Sequence, residues 1–156
     1  MPRPPLSPQP APPPPQNRLH VSVEEEPAAA DIGVIERGLF AFEEARLGAP
    51  EHTQFAVLLR DHLGGVLGGL DGHVMWRRLF IKTFWLPDGL RGQGYGSQLL
   101  TEAESEAKLR GCSGIWLTAL GDRAKNFYTM RGYQVFGRLP AYVEGQDLYS
   151  LAKDLT

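Results

Sequence analysis

The feature that most constrains the fold is an apolar segment followed directly by a glycine-rich loop and an amphipathic segment. The apolar segment, LFIKTFWL at residues 79–86, is rich in aromatic and branched residues, and Pro87 ends it; this composition predicts a central strand. Glycines at 92, 94 and 96 precede residues 95–110, where leucines and alanines recur at helical spacing. The sequence therefore predicts a strand, a tight glycine loop and a helix in direct succession.

The other segments predict a mixed, mostly antiparallel central sheet of about seven strands with helices on both faces. A first strand is expected at 18–23, and Gly33 and Gly38 favour a break in the helical pattern of 27–48. A glycine-containing turn, or a bulge, is expected at Asp71 and Gly72. Further strands are predicted at 53–61, 65–74, 75–86, 114–120, 132–139 and 147–155, with helices at 95–110 and 122–131.

The chain of 156 residues has the length of one domain, and its first residues differ in composition from the rest. Residues 1–17 carry most of the 13 prolines, and such a density favours an extended, solvated chain. We expect a disordered proline-rich tail at 1–17 and one folded domain at 18–156.

Composition excludes several classes of function. The net charge of −2 and the lack of a basic cluster argue against nucleic acid, and no apolar run approaches the roughly 20 residues that span a bilayer. Cys112 is the only cysteine, which fits the reducing cytoplasm. The four histidines are scattered without zinc-ligand spacing, so no metal is expected.

The glycine loop at the start of a predicted helix is suited to an anion, because the first backbone N–H groups of a helix lack intrahelical partners. A Walker A loop requires G-x-x-x-x-G-K-[ST], and a dinucleotide fingerprint requires G-x-G-x-x-G. The segment RGQGYG at 91–96 has neither spacing.

That segment instead resembles the R/Q-x-x-G-x-G/A loop that binds the acetyl-CoA pyrophosphate in the GCN5-related N-acetyltransferase (GNAT) superfamily. Downstream, AKNFYTMRGY at 124–133 is similar to the A-x-x-F-Y-x-x-x-G-Y/F segment of the same family. The resemblance covers about residues 18–155, with the two motifs in the family's order. It implies a GNAT-like acyl-CoA N-acyltransferase fold.

The resemblance also implies the activity. The chain would move the acetyl group of acetyl-CoA, its co-substrate, directly to a primary amine of a small molecule or peptide. A possible homodimer is implied too. Two alternatives remain open: a non-catalytic acetyl-CoA-binding regulatory module, and a protein or peptide N-acetyltransferase.

By the same resemblance, Tyr128 matches the tyrosine that gives a proton to the departing CoA sulfur, and a phenol is protonated at neutral pH. Backbone groups of the strand end would pair with pantetheine, and loop N–H groups would hold the pyrophosphate. The expected cofactor-binding residues are Phe84, Trp85, Leu86, Arg91, Gly92, Gln93, Gly94, Tyr95, Gly96 and Asn126.

The base that deprotonates the amine is not evident from the sequence. Many relatives carry a glutamate where Lys82 stands, and lysine does not replace a carboxylate base. A water chain ending at another polar group is expected, with Glu36, Glu43 or Glu144 as candidates. A second departure is Gly121, where relatives often carry asparagine. The amine would bind near the early helical region and residues 140–147, whose Glu144 and Asp147 suit a cation.

Overall fold

The computed structural model describes residues 19–49 and 52–155. The tail predicted at 1–17 lies outside the described residues. The chain divides into two units within its first helix, between Phe42 and Glu43, and each unit is described by itself.

Three helices and six strands make up the regular structure of the described residues. In chain order they are α1 (Ala29–Leu47), β1 (Thr53–Arg60), β2 (Val66–Met75), β3 (Arg78–Trp85), a short 3-10 turn (Asp88–Leu90), α2 (Tyr95–Leu109), β4 (Gly114–Leu120), α3 (Gly121–Thr129), β5 (Gln134–Val143) and β6 (Gln146–Asp154). No helix among them is long and apolar enough to cross a bilayer.

The first unit differs from the sequence prediction at two points. Residues 19–23 form no strand, because a short alternating run becomes a strand only when another strand pairs with it. Helix α1 runs without a break through Gly33 and Gly38, since an internal glycine costs only about 1 kcal/mol in a helix. The helix ends where Gly48 adopts a φ of 83°, the left-handed conformation typical of a helix stop.

The second unit contains the sheet, whose strand order is β1-β2-β3-β4-β6-β5. The pair β3–β4 is parallel and the other four pairs are antiparallel. Helix α2 supplies the crossover that a parallel pair requires. The predicted mixed, mostly antiparallel sheet is confirmed, with six strands.

The hairpin of β2 and β3 turns at Trp76 and Arg77, with φ angles of 48° and 89°. The strand expected over 75–86 is therefore shorter and starts at Arg78. The feature expected at Asp71 and Gly72 is a bulge: Asp71 lies opposite Thr83 and Gly72 opposite Ile81, so Lys82 is the extra residue. A Cβ atom at Gly72 would collide with the Phe80 carbonyl oxygen, so only glycine fits here.

The core lies between one face of the sheet and helices α2 and α3. Alternate strand residues, among them Leu79, Ile81 and Leu117, are at most 3% exposed and form one cluster with buried residues of both helices. The strand residues between them face away from α2 and α3, and we call that side the outer face. A helix on the outer face stays a prediction.

Candidate active site

Strands β3 and β4 separate before they end. They are in register from Arg78 opposite Gly114 to Ile81 opposite Leu117. Beyond that pair, β3 pairs only with β2, and β4 only with β6. Residues 82–85 and 118–120 therefore border an opening across which backbone N–H and C=O groups are left for another partner.

The glycine loop brings the N-terminus of α2 to this opening. Gly94 precedes the helix with a φ of 90°, and the first helical bond runs from the Gln98 N–H to the Gly94 carbonyl at 3.0 Å. The N–H groups of residues 95–97 consequently have no partner within the helix. A Cβ at Gly92 or Gly94 would meet no atom within 4 Å, so the backbone there is open to close approach.

The opening and the loop form one cleft of about 580 Å³. The residues expected from the sequence to bind the cofactor supply much of its lining. The lining consists of Phe84, Trp85, Leu86, Arg91, Gly92, Gly94, Gly96, Ser97, Leu120, Arg123, Ala124, Phe127, Tyr128 and Arg131.

Three of the residues expected at the site direct their side chains elsewhere. The Gln93 amide donates to the Gly89 carbonyl at 2.5 Å, Tyr95 packs partly buried against the core, and Asn126 is exposed on α3. None of the three lines the cleft. Contact of their backbone groups, or of Asn126, with a ligand stays a prediction.

Arginines give the cleft its charge. Arg91 donates to the Leu86 carbonyl at 2.9 Å and pairs with Asp88 at 2.6 Å. Arg131 donates to the Phe127 carbonyl at 2.6 Å and stacks 3.7 Å above the Phe127 ring. Arg131 also donates to the Ser97 hydroxyl in the first turn of α2. Its guanidinium is thus fixed beside the helix N-terminus, where both favour an anion.

Sequence reasoning missed Arg123 and Arg131. Each lies at a variable position within or beside the AKNFYTMRGY motif, and a count of basic residues around that motif would have found them.

Tyr128 lies in the wall of the cleft between β3 and α3. It is 8% exposed, and its ring contacts those of Phe84, Phe127 and Tyr133 at centroid distances of 6.4, 5.0 and 5.7 Å. Burial raises its pKa to about 12, because the charged phenolate loses hydration. Tyr128 is therefore protonated at neutral pH and able to donate.

Of the carboxylates expected to serve the amine, those in the second unit, Glu43, Glu144 and Asp147, do not line the cleft. Glu36 and Glu43 belong to α1, and Glu144 is in the exposed turn between β5 and β6. Asp147 is already bound: the Ala141 N–H donates to it at 2.9 Å and Arg138 at 2.6 Å, and these bonds lower its pKa.

Gly121 begins α3 with a φ of 77°. This positive φ favours glycine at the tight turn from β4 into the helix. Among residues 19–49 and 52–155, no three His, Cys, Asp or Glu side chains are grouped to hold a metal ion. Cys112 is buried.

Comparison with known proteins gives consistent matches. Residues 20–133 match the model of the Acetyltransferase (GNAT) family. Acetyltransferase Atu2258 of Agrobacterium fabrum is 32% identical over 115 residues, which cover 74% of this chain and 84% of the relative. Blasticidin-S acetyltransferase of Streptomyces morookaense is 37% identical over 93 residues, 59% of this chain and 68% of the relative.

Among solved structures, a crystal structure of an Agrobacterium tumefaciens protein has a TM-score of 0.83 and 29% identity, covering 87% of this chain and 99% of that chain. The shared fold, the matched family model and the glycine loop at a separated strand pair agree. The chain belongs to the GNAT family and is an acyltransferase.

Proposed function

We propose that this enzyme transfers the acetyl group of acetyl-CoA to a primary amine of a small cationic molecule. The observation that carries the proposal is the cleft itself. It combines an unpaired strand edge, a helix N-terminus with open glycines and a buried protonated tyrosine.

The cleft residues fit acetyl-CoA. The pyrophosphate suits the N–H groups of residues 92–96, because Gly92 and Gly94 leave space where a side chain would stand. Arg91, Arg123 and Arg131 line the same cleft and supply positive charge. The pantetheine arm, which carries amide groups, suits the edge of Phe84 and Trp85 that β4 leaves unpaired. When bound, acetyl-CoA supplies a thioester carbonyl to the amine.

Other groups of the cleft would act on the acetyl group and the leaving sulfur during the transfer. A backbone N–H of β3 in the opening would donate to the carbonyl oxygen, where negative charge develops. Tyr128 would donate its proton to the leaving sulfur, since its raised pKa keeps it protonated throughout the working pH range. The half-buried Phe84 and Phe127 beside it reduce access of water.

The acceptor class rests on one relative and on charge. Blasticidin-S acetyltransferase is named for a small-molecule antibiotic. The exposed Glu144, at the tip of the β5–β6 hairpin, would attract a cation. A peptide N-terminus is the second candidate, because residues that border the opening are exposed, among them Thr83, Trp85, Thr118 and Leu120.

The test follows thiol release from acetyl-CoA against blasticidin S, an aminoglycoside, spermidine, amino acids and peptides. We expect amine-dependent release with a small cationic amine, and a loss in kcat of about 100-fold in Tyr128→Phe. Thiol release with peptides alone would show that the acceptor is a peptide and not a small cationic amine. Undiminished turnover in Tyr128→Phe would remove Tyr128 from the mechanism.

Cellular location and assembly complete the proposal. The single cysteine supports a cytoplasmic location, and the family resemblance supports a homodimer. Cell fractionation and light scattering of the purified protein test these two points.

A further inference from the structure

The proposed transfer leaves one proton without an acceptor. An alkyl amine is mostly ammonium at neutral pH and has to lose a proton before its nitrogen can attack. The ionisable side chains that line the cleft are arginines and the protonated Tyr128. None of these accepts a proton at neutral pH.

A row of four rings crosses the outer face beside the opening. His52 stacks on His73 at 5.1 Å between ring centroids, His73 meets Phe80 edge to face at 5.5 Å, and Phe80 lies 4.2 Å from Trp116. Phe80 and Trp116 are opposite each other on β3 and β4, one position before the last pair of that ladder. The ring row therefore reaches the closed end of the opening.

The ring row borders a pocket of about 410 Å³ on the same side of the sheet. His52, Gln54, Asp71, His73 and Lys82 contribute its polar lining. Lys82 is the extra residue of the bulge and lies two positions before Phe84 of the cleft. The pocket and the cleft consequently approach the same stretch of β3 from opposite faces.

The surroundings of His73 keep its imidazole neutral. Burial lowers its pKa below the ordinary value of 6.5, and the charges of His52 and Lys82 lower it further. The same pocket also contains one carboxylate, that of Asp71, which lies on β2 like His73. His73 is half-buried rather than enclosed, so solvent and substrate can reach it.

We propose that His73 accepts the proton that the acceptor amine must lose, from the outer face of the sheet. The inference rests on the proposed function and deepens it. Leu70 lies opposite Phe84, and His73 is three residues further along β2. Since a strand rises about 3.3 Å per residue, roughly 10 Å of β2 separates His73 from the residue opposite Phe84, so the proton would reach His73 through a short chain of waters in the opening.

The proposed step balances in atoms and charge. A ring nitrogen of His73 takes one proton from the ammonium group and releases it later to solvent. The amine nitrogen forms a bond to the carbonyl carbon as the carbon–sulfur bond breaks. Tyr128 gives its proton to the sulfur and recovers one from the acylated nitrogen. The positive charge of Lys82 lowers the pKa of His73 and so keeps it unprotonated before this step.

The experiment compares His73→Gln with His52→Gln, which removes the neighbouring ring of the same stack. With the best amine of the panel, we expect His73→Gln to lower kcat/KM about 100-fold at pH 7. The acidic limb of its pH profile should disappear, while acetyl-CoA affinity and thermal midpoint stay close to wild type. His52→Gln should keep the limb. Wild-type rates and an unchanged limb in His73→Gln would overturn the inference.

A second measurement needs no amine. Titration of the imidazole resonances by NMR in the full chain should give His73 a pKa below 6.5, and Lys82→Gln should raise it because a like charge is removed. An ordinary or higher value in the wild type would overturn the inference. Lack of turnover with every amine would overturn the proposed function and this inference together, whereas normal turnover in His73→Gln overturns this inference alone.

Discussion

The two halves of β3 belong to one strand but have different pairing partners. From Arg78 to Ile81 the strand pairs on both sides, with β2 and with β4. From Thr83 to Trp85 it pairs with β2 alone. The first half uses its hydrogen-bonding capacity for the fold, and the second half keeps one edge for a ligand. A single strand thus serves both stability and binding, and variants in the neighbouring strand β4, which pairs with the first half and separates from the second, should distinguish these roles.

The largest expected effect is on stability, in the paired half. Leu117 is 1% exposed, opposite Ile81, so Leu117→Ala should lower the free energy of unfolding by about 2–5 kcal/mol through cavity formation. Urea denaturation measures the loss.

Leu120→Ala on the same strand is the matched control, since Leu120 is 46% exposed in the open half. We expect it to cost less than about 1 kcal/mol while weakening acetyl-CoA binding, because Leu120 lines the cleft. Equal stability losses in the two variants would contradict the division of roles.

The next largest expected effect is on the affinity for acetyl-CoA at the glycine loop. Gly94→Ala should raise the Kd for acetyl-CoA about tenfold, because a side chain at a φ of 90° strains the loop and enters the space proposed for phosphate. Calorimetry measures the affinity.

Gly111→Ala controls for backbone strain. Gly111 has a φ of 74°, also with nothing within 4 Å of an added Cβ, but it follows the opposite end of α2. Both variants should lose similar stability, and only Gly94→Ala should lose affinity. A similar affinity loss in Gly111→Ala would mean that general destabilisation is responsible.

The smallest effect concerns charge. Arg131→Gln keeps a hydrogen-bond donor for Ser97 and removes the cation. Acetyl-CoA affinity should fall about threefold to tenfold at low salt, and the difference should shrink as salt screens the lost charge. Arg110→Gln, at the far end of α2 beside Glu106, should have no such effect. A salt-independent loss in Arg131→Gln would point to packing on Phe127 instead.

The sequence predicted those parts of the site that short segments encode. The glycine loop and the AKNFYTMRGY motif each fix a local turn or helix, so the family resemblance that these two segments carry indicated Gly92, Gly94 and Tyr128 as candidate site residues. The β2–β3 turn was missed because tryptophan and arginine rarely adopt the positive φ angles of Trp76 and Arg77.

The ring row could not be predicted in the same way. Its four members come from β2, β3, β4 and the segment before β1, and only the register of three strand pairs brings them together. His73 therefore looked like one of four unrelated histidines. The prediction of a first strand at 18–23 was wrong for the opposite reason. The local alternation of polar and apolar residues is clear there, but alternation does not supply a pairing strand.

The bulge at Lys82 determines toward which face of the sheet each later side chain of β3 points. Before it, Leu79 and Ile81 face the helices; after it, the inward set is Phe84 and Leu86, so even numbers replace odd ones. If the same residues paired without a bulge, the regular alternation of the strand would turn Trp85 toward the helices and Phe84 outward. The bulge thus keeps Phe84 of the cleft and Phe80 of the ring row on opposite faces of a single strand.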